Sequence, residues 1–422
     1  MSSAEGAVFA AEVASFVKEL KEMGANPLKA LPALDEEKPA EAANTDLKID
    51  AVAPSELQLE HCIECSACVG SCPVSAERPG FSPKQMLKRG MLGLGDELTK
   101  SPELWSCLSC GRCLSRCPAG IDFPQFNRVQ RQQAIAAGNL CEPSHHGMLQ
   151  AVADLQTKAV KQNRTEWAKD AGEFQQTGDY FYFVGCLPHF EVTFRYLELS
   201  PLKTARNILN LLNRMGITPV ISDAECCCGH DAYWSGNQKR FEALAQKNMQ
   251  TILKSGAKTV LFGCPEGYIT FKKCYPEVVG KLPFEVMHMT EFLAQKLPET
   301  NPVWSDKKNQ VVTYQDPCRL GRFAGQYEAP RKLVEMVPGT KLVEMERNRE
   351  NGLCCGTSAW MSCSACSKAM QLKRLAEAAQ TGAKTLITAC PKCEIHLACA
   401  LNDAKLNLNI IDVYSYLIEN LA

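Results

Sequence analysis

From residue 178 to its last residue the chain spells one pattern twice, and this repeat constrains the fold more than any other feature. FYFVGCLP around Cys186 is echoed by VTYQDPCR around Cys318. ECCCGHDAYWSG around Cys227 is echoed by LCCGTSAWM around Cys354. SGAKTVLFGCPEG, holding Cys264, is echoed by TGAKTLITACPKC, which ends at Cys393. Three anchors recur in one order at nearly one offset, which an internal duplication explains and chance does not. KTVLF and KTLIT are short apolar, β-branched runs behind a glycine, the pattern of buried parallel strands. Each unit reads as strand, helix, strand or loop, helix, strand, helix. The region is therefore expected to be α/β, in two pseudo-symmetric halves at 178–305 and 306–422.

A chain of 422 residues is too long for one ordinary core. Ahead of the repeat, residues 9–24 read as an amphipathic helix ended by Gly24. Phe9, Val13, Phe16 and Leu20 line one side of it, a face that suits docking on a partner or packing on the chain itself. Residues 31–56, rich in Ala, Pro, Asp and Glu, read as a linker or as a tail that orders on a partner, so 1–56 are expected to form an N-terminal helix and linker. A first cysteine block spans 57–140, and the polar, helical stretch 141–177 reads as a connector. The expected fold class is α+β and multidomain.

Cysteine is the outlier, with 23 in the chain, an odd number. A secreted disulfide scaffold is short and its cysteines are even in number. The N-terminus has no basic and apolar leader pattern. No uncharged apolar run reaches the roughly 18–20 residues that cross a bilayer. A cytoplasmic protein is expected, whose reduced thiols serve metals. Lys plus Arg number 46 against 47 Asp plus Glu, so no basic excess points to nucleic acid.

Two runs have the form C-x2-C-x2-C-x3-C-P: Cys62, Cys65, Cys68, Cys72 and Pro73, then Cys107, Cys110, Cys113, Cys117 and Pro118. Three thiolates at this spacing hold three iron corners of a cubane from one tight turn. The fourth, in two-cluster ferredoxins, serves the other cluster. The first [4Fe–4S] set is then Cys62, Cys65, Cys68 and Cys117, and the second is Cys107, Cys110, Cys113 and Cys72. Zinc knuckles also use C-x2-C, but four cysteines followed by proline, twice, is a far more specific signal. The segment between the runs, PKQMLKRGMLGLGDEL, is long and helical in character. It resembles the helical ferredoxin segment of heterodisulfide reductase C subunits and of succinate dehydrogenase-type iron–sulfur subunits.

The repeat carries a second resemblance. Cys318, the pair Cys354–Cys355 before Gly356, and Cys390, Pro391, Lys392 and Cys393 are similar to the CCG-domain motif of heterodisulfide reductase B subunits. With the ferredoxin segment in front, residues 57–422 resemble a C–B fusion of the D-subunit type. The iron–sulfur subunits of glycolate, lactate and anaerobic glycerol-3-phosphate dehydrogenases share the layout. The resemblance implies a noncubane [4Fe–4S] cluster on Cys318, Cys354, Cys355, Cys390 and Cys393. The first unit keeps Cys186, Cys227, Cys228 and Cys264, but its fifth position is Gly267, which cannot ligate. A further iron–sulfur cluster, such as an ordinary cubane, and an empty site are the alternatives there, with Cys226 able to replace a neighbour. KTLITA delivers Cys390 at the carboxyl end of a strand, where sites of α/β sheets lie.

Cys141, Cys226, Cys274, Cys363, Cys366 and Cys399 remain. They read as structural thiols, with Cys363 and Cys366 on one face of a helix. His230 reads as an ordinary hydrogen-bonded histidine. The expected function is electron transfer within a heterodisulfide reductase-type complex. Electrons pass through the two cubanes to the C-terminal cluster, where a disulfide or thiol substrate reacts in an open cleft at Cys390 and Cys393. The alternative is a relay between a flavin dehydrogenase or bifurcating complex and a quinone or other acceptor. Partners are a flavoprotein or a membrane cytochrome or quinone subunit, the last placing the protein at the inner face of the membrane. No GxGxxG fingerprint appears, so flavin would sit on another chain.

Overall fold

Two parallel sheets organise the C-terminal half, and each unit of the repeat supplies one. The computed structural model of the protein describes residues 14–15, 17–18, 21–22, 57, 59–158, 161–305, 309–361, 363–404 and 406–422. The chain divides into Met1–Asp50 and Ala51–Ala422. In the first of these, Ala14, Ser15, Val17, Lys18, Lys21 and Glu22 are helical, and Lys18 pairs with Glu22 at 3.8 Å. Phe9, Val13, Phe16, Leu20 and the expected linker at 31–56 lie outside the described residues.

The first sheet runs β1 (Tyr180–Phe183), β2 (Thr259–Phe262) and β3 (Glu285–His288), all parallel. The second comprises β4 (Gln310–Gln315), β5 (Thr340–Leu342), β6 (Thr385–Thr388) and β7 (Asn409–Asp412), in the parallel order β5-β4-β6-β7. The halves differ at one edge: where β5 flanks β4, only Val220 bridges to Phe181 beside β1. KTVLF and KTLIT form β2 and β6. Their last three residues are buried in both, which is why these runs are apolar throughout.

The units lock together away from the cysteines. Helix Pro201–Arg214 of the first packs on helix Val413–Asn420 of the second, with Thr204 Oγ1 donating to Asp412 Oδ2 at 2.9 Å. The ferredoxin-like segment shares one hydrophobic core with the second unit: Leu59, Leu87, Phe123 and Phe126 belong to the cluster that holds Leu375, Leu386 and Leu397. Local signals set its helices. Ser82 caps Pro83–Met91 and Asp122 caps Phe123–Ala136 through the amide of Gln125 at 2.9 Å.

Arg131, fully buried, ties this segment to the first unit. Its guanidinium donates to the carbonyls of Leu104 (3.1 Å), Cys107 (2.7 Å) and Trp234 (2.9 Å). The approach requires Gly236, at φ 84°, because a Cβ there would lie 2.5 Å from Gln132 N.

A second buried cation fixes the loop ahead of Cys318. Arg331 grips both oxygens of Asp316, at 2.8 and 2.9 Å, and also reaches Glu344, while Asp316 accepts from Arg349 N at 2.7 Å. Asp316→Asn is expected to cost about 3–5 kcal/mol by leaving Arg331 without its main counter-charge. Chemical denaturation of the full chain reads this; a change within the scatter of surface mutants would show that Glu344 alone suffices.

Candidate metal centres

Each sheet delivers cysteines at the carboxyl ends of its strands. β1 leads to Cys186, β2 to Cys264, β4 to Cys318 and β6 to Cys390. Pro265 and Pro391 then open helices at the first turn, as their fixed φ favours.

In the ferredoxin-like segment, Cys62, Cys65, Cys68 and Cys117 line one small cavity, together with Cys113. Cys72, Cys107, Cys110 and Cys113 line another. The fourth cysteine of each run thus lies with the other run, the exchange that paired clusters require. Ser66 (φ 65°) and Gly111 (φ 75°) turn the backbone just before the short helices that carry Cys68 and Cys113. Backbone amides reach the sulfurs, Ser109 N to Cys107 at 3.3 Å and Ile121 N to Cys117 at 3.4 Å. Burial pushes the Cys72 thiol up to about 12, so without a metal it stays protonated, whereas a coordinated thiol is ionised outright.

In the second unit, Cys354, Cys355, Cys390 and Cys393 are buried and Cys318 is half-buried. Their sulfurs touch in sequence: Cys354 meets Cys318 and Cys355, Cys355 meets Cys393, and Cys393 meets Cys390. His396 Nδ1 lies 3.4 Å from Cys355 Sγ. The expected open cleft is not seen at Cys390 and Cys393, each 4 % exposed. Two small cavities of the repeat region border Cys186, Cys227, Cys228 and Cys264.

In the first unit, Cys186 and Cys227 sulfurs lie 3.9 Å apart, Cys227 touches Cys228, and Cys264 faces Cys228. Cys226 points elsewhere: its thiol donates to the carbonyls of Gln156 and Ala224, both at 3.6 Å. The fifth position is filled by a different residue. A Cβ on Gly267 would lie 3.0 Å from Phe262 Cδ1 and 3.8 Å from Cys228 Cβ. Across the repeat Gly267 corresponds to Cys393 and Phe262 to Thr388. The ring of Phe262, packed 5.1 Å from Phe183 and 4.8 Å from Phe271, occupies space that the smaller threonine leaves to a cysteine.

The two units meet through charge as well as sulfur. Lys392, between Cys390 and Cys393, reaches into the first unit and pairs with Asp231 at 2.5 Å and Glu266 at 2.7 Å. Burial opposes its charge, but the two carboxylates outweigh it and hold its pKa up. His230, 1 % exposed, faces Asp231 (3.0 Å) and Glu266 (3.2 Å) through Nδ1 and accepts from Arg319 Nε at 3.0 Å through Nε2. His230, Asp231 and Glu266 have the geometry of a cation site, and the Lys392 ammonium already stands on both carboxylates.

The contacts form one file of sulfurs. Cys110 of the second ferredoxin-like run lies within hydrogen-bonding reach of Cys354, and Cys390 within reach of Cys264. The file therefore runs from the ferredoxin-like segment into the second unit and on to the first. The Cys354 contact holds the Cys110 thiol down, to about 5, against the opposing effect of burial. Buried donors without hydrogen-bond partners stand near Cys107 and Cys110, namely Arg319 Nη1 and Nη2, Arg322 Nη2 and Arg112 Nε, and Thr357 Oγ1 and Ser358 Oγ, just behind Cys355 in the chain, are likewise unpaired. Thiolate clusters are anionic and supply the missing acceptors, so the residues fit iron–sulfur groups.

Known proteins share this arrangement. Residues 180–272 and 312–398 match the cysteine-rich domain family, CCG, and residues 58–121 match the 4Fe-4S dicluster domain family. The chain is 29 % identical over 397 residues, 86 % of its length and 94 % of the other, to the D subunit of the dihydromethanophenazine:CoB–CoM heterodisulfide reductase of Methanosarcina barkeri. This chain has the domain layout of a heterodisulfide reductase-like iron–sulfur subunit, a 4Fe-4S dicluster domain ahead of a CCG-domain pair. The B subunit of the fumarate reductase (CoM/CoB) of Methanothermobacter marburgensis is 27 % identical over 86 % of this chain and 74 % of its own. The EtfAB:quinone oxidoreductase of Syntrophomonas wolfei is 28 % identical over 57 % of this chain and 33 % of its own. Like its relatives, this heterodisulfide reductase-like chain is an iron–sulfur oxidoreductase subunit that transfers electrons. Among its described residues no helix is long and apolar enough to cross a membrane.

Several site residues carry no motif. Arg319 and Arg322 lie in CRLGR behind Cys318, and two arginines beside a motif cysteine were the available signal. Lys392 is invisible as a cross-unit ligand until the halves are assembled. Cys363 does not share a helix face with Cys366, because the helix begins at Ala365 and leaves Cys363 exposed in front of it.

Arg322 donates to Cys110 O at 2.7 Å and Gly352 O at 2.8 Å. Burial works against its charge, and the sulfurs of Cys110, Cys318 and Cys354 outweigh that effect. A cation held there favours added electrons. Arg322→Gln is expected to lower the midpoint potentials of the neighbouring centres by tens of millivolts, and Arg322→Lys to recover most of the shift. Redox titration followed by electron paramagnetic resonance (EPR) reads both; unchanged potentials in Arg322→Gln would exclude the tuning role.

Proposed function

We propose that this chain carries electrons from a partner reductase through two [4Fe–4S] cubanes into a CCG-domain pair, where a two-electron acceptor is reduced. The reading places the cubanes in 57–140, a noncubane [4Fe–4S] cluster in 306–422 and a further cluster in 178–305. The observation that carries it is the unbroken file of sulfurs from Cys110 through Cys354 and Cys390 to Cys264. Bound clusters exchange single electrons, and the protein sets their spacing and potential. The chain's own part is to hold the cysteines of three segments side by side, and to neutralise their charge with Arg319, Arg322 and Lys392.

A flavoprotein or membrane cytochrome subunit is the proposed donor. Stepwise dithionite reduction of anaerobically purified full chain, followed by EPR, tests the reading. Electrons should reach both the cubanes and the cysteine-rich region. A cysteine-rich region that takes up none would end it.

A disulfide acceptor is the second reading. Its support is the five-cysteine set of the second unit, together with the heterodisulfide named for the Methanosarcina relatives.

A further inference from the structure

One histidine stands against the cysteines of the second unit without belonging to any motif. His396 lies on helix Pro391–Ala404, three residues after Cys393, so the two share a helix face. That spacing brings His396 Nδ1 to 3.4 Å from Cys355 Sγ. The ring is 5 % exposed and meets Trp360 edge to face, with centroids 5.0 Å apart at 77°. Trp360 is itself buried and packs against His145, Phe190 and Phe194. The imidazole is therefore locked by packing beside the sulfur.

The proton of that ring has one good position. A cysteine sulfur bound to iron carries no hydrogen and only accepts. An Nδ1 lone pair aimed at it would be repelled. His396 Nε2 is buried with no hydrogen-bond partner among the described residues, so a proton there would be a stranded donor. A single proton on Nδ1 satisfies the sulfur and leaves only an acceptor unpaired. In a site closed to water such a bond is stronger than in solution. The first unit has no equivalent. Across the repeat His396 corresponds to Thr270, whose Oγ1 makes no hydrogen bond to a cysteine. The two centres of the repeat thus differ in a donor as well as in the fifth ligand.

We propose that His396 is a positioning residue that donates its Nδ1–H to Cys355 and raises the reduction potential of the cluster in the second unit. The proposal rests on the electron-transfer reading and deepens it. A hydrogen bond to a ligand sulfur offsets part of the negative charge that an added electron brings, so it favours the reduced cluster. Each step moves one electron in from the neighbouring cubane, breaks no bond and leaves the proton on His396.

The test uses the full chain with its iron and sulfide in place, titrated with dithionite and followed by EPR. His396→Leu keeps much of the bulk and removes the donor. It is expected to make one-electron reduction of the second-unit cluster about three- to tenfold less favourable, a fall in midpoint of roughly 30–60 mV. His396→Asn places an amide N–H near the position of Nδ1 and should recover most of the shift. Iron content and the midpoints of the cubanes should stay unchanged in both. An unshifted midpoint in His396→Leu, or equal shifts in the two variants, overturns the proposal. A measurement on the natural sequence covers a variant that loses its cluster. With isotopically labelled histidine, electron–nuclear double resonance of the reduced protein should show a histidine nitrogen coupled to the second-unit cluster. Its absence also overturns the proposal. Failure of the electron-transfer reading looks different: dithionite leaves the cysteine-rich region oxidised, no second-unit midpoint exists in any chain, and the proposal falls with it.

Discussion

Cys110→Ser is expected to remove one cubane, seen as a loss of roughly four irons per chain, and to stop electrons at the remaining one. Cys110 lines the second ferredoxin-like cavity with Cys72, Cys107 and Cys113, and its sulfur also lies within hydrogen-bonding reach of Cys354 of the second CCG unit. One atom therefore serves two duties, and serine is a poor substitute in both. The unusual EPR signal of the second unit should survive, because Cys318, Cys354, Cys355, Cys390 and Cys393 are untouched. It should respond to a direct chemical reductant but no longer to a partner that feeds the ferredoxin-like segment. Iron and sulfide analysis beside EPR decides. Zinc in place of iron in the unaltered protein would refute the cluster assignment, and undiminished partner-driven reduction in Cys110→Ser would refute the route.

The second large effect concerns the missing fifth ligand. Gly267→Cys alone is expected to add no cluster signal, because the new Cβ would lie 3.0 Å from the Phe262 ring, which is locked between Phe183 and Phe271. Gly267→Cys with Phe262→Thr rebuilds the pair that the second unit carries as Cys393 and Thr388. The double variant is expected to give two noncubane-type signals against one expected from the natural chain, and Cys393→Ser should leave none in the natural chain. Phe262→Thr by itself removes a buried aromatic ring and should cost about 3–5 kcal/mol, so its denaturation midpoint is the control for folding. Two equivalent signals in the unaltered protein would show that Gly267 is no obstacle.

Sequence spacing carried much of this. Local rules place β2 and β6, because an apolar β-branched run behind a glycine has few other ways to be buried. Spacing within ten residues places Cys62, Cys65 and Cys68 on one turn, and Cys107, Cys110 and Cys113 on another, because three thiols two residues apart cannot diverge. The gap of Gly267 against Cys393 was legible from the repeat alone. The contacts that join these parts were not legible. Cys110 meets Cys354, Cys390 meets Cys264, and Lys392 pairs with Asp231 and Glu266 across 161 and 126 residues of chain. No local pattern encodes such pairs. They arise because the ferredoxin-like segment shares its hydrophobic core with the second unit, while helices Pro201–Arg214 and Val413–Asn420 bring the two units together. Burial then selects partners such as Asp231 and Glu266 for Lys392, and the same packing that places Cys186 and Cys227 on a cavity wall closes Cys390 and Cys393 away from solvent.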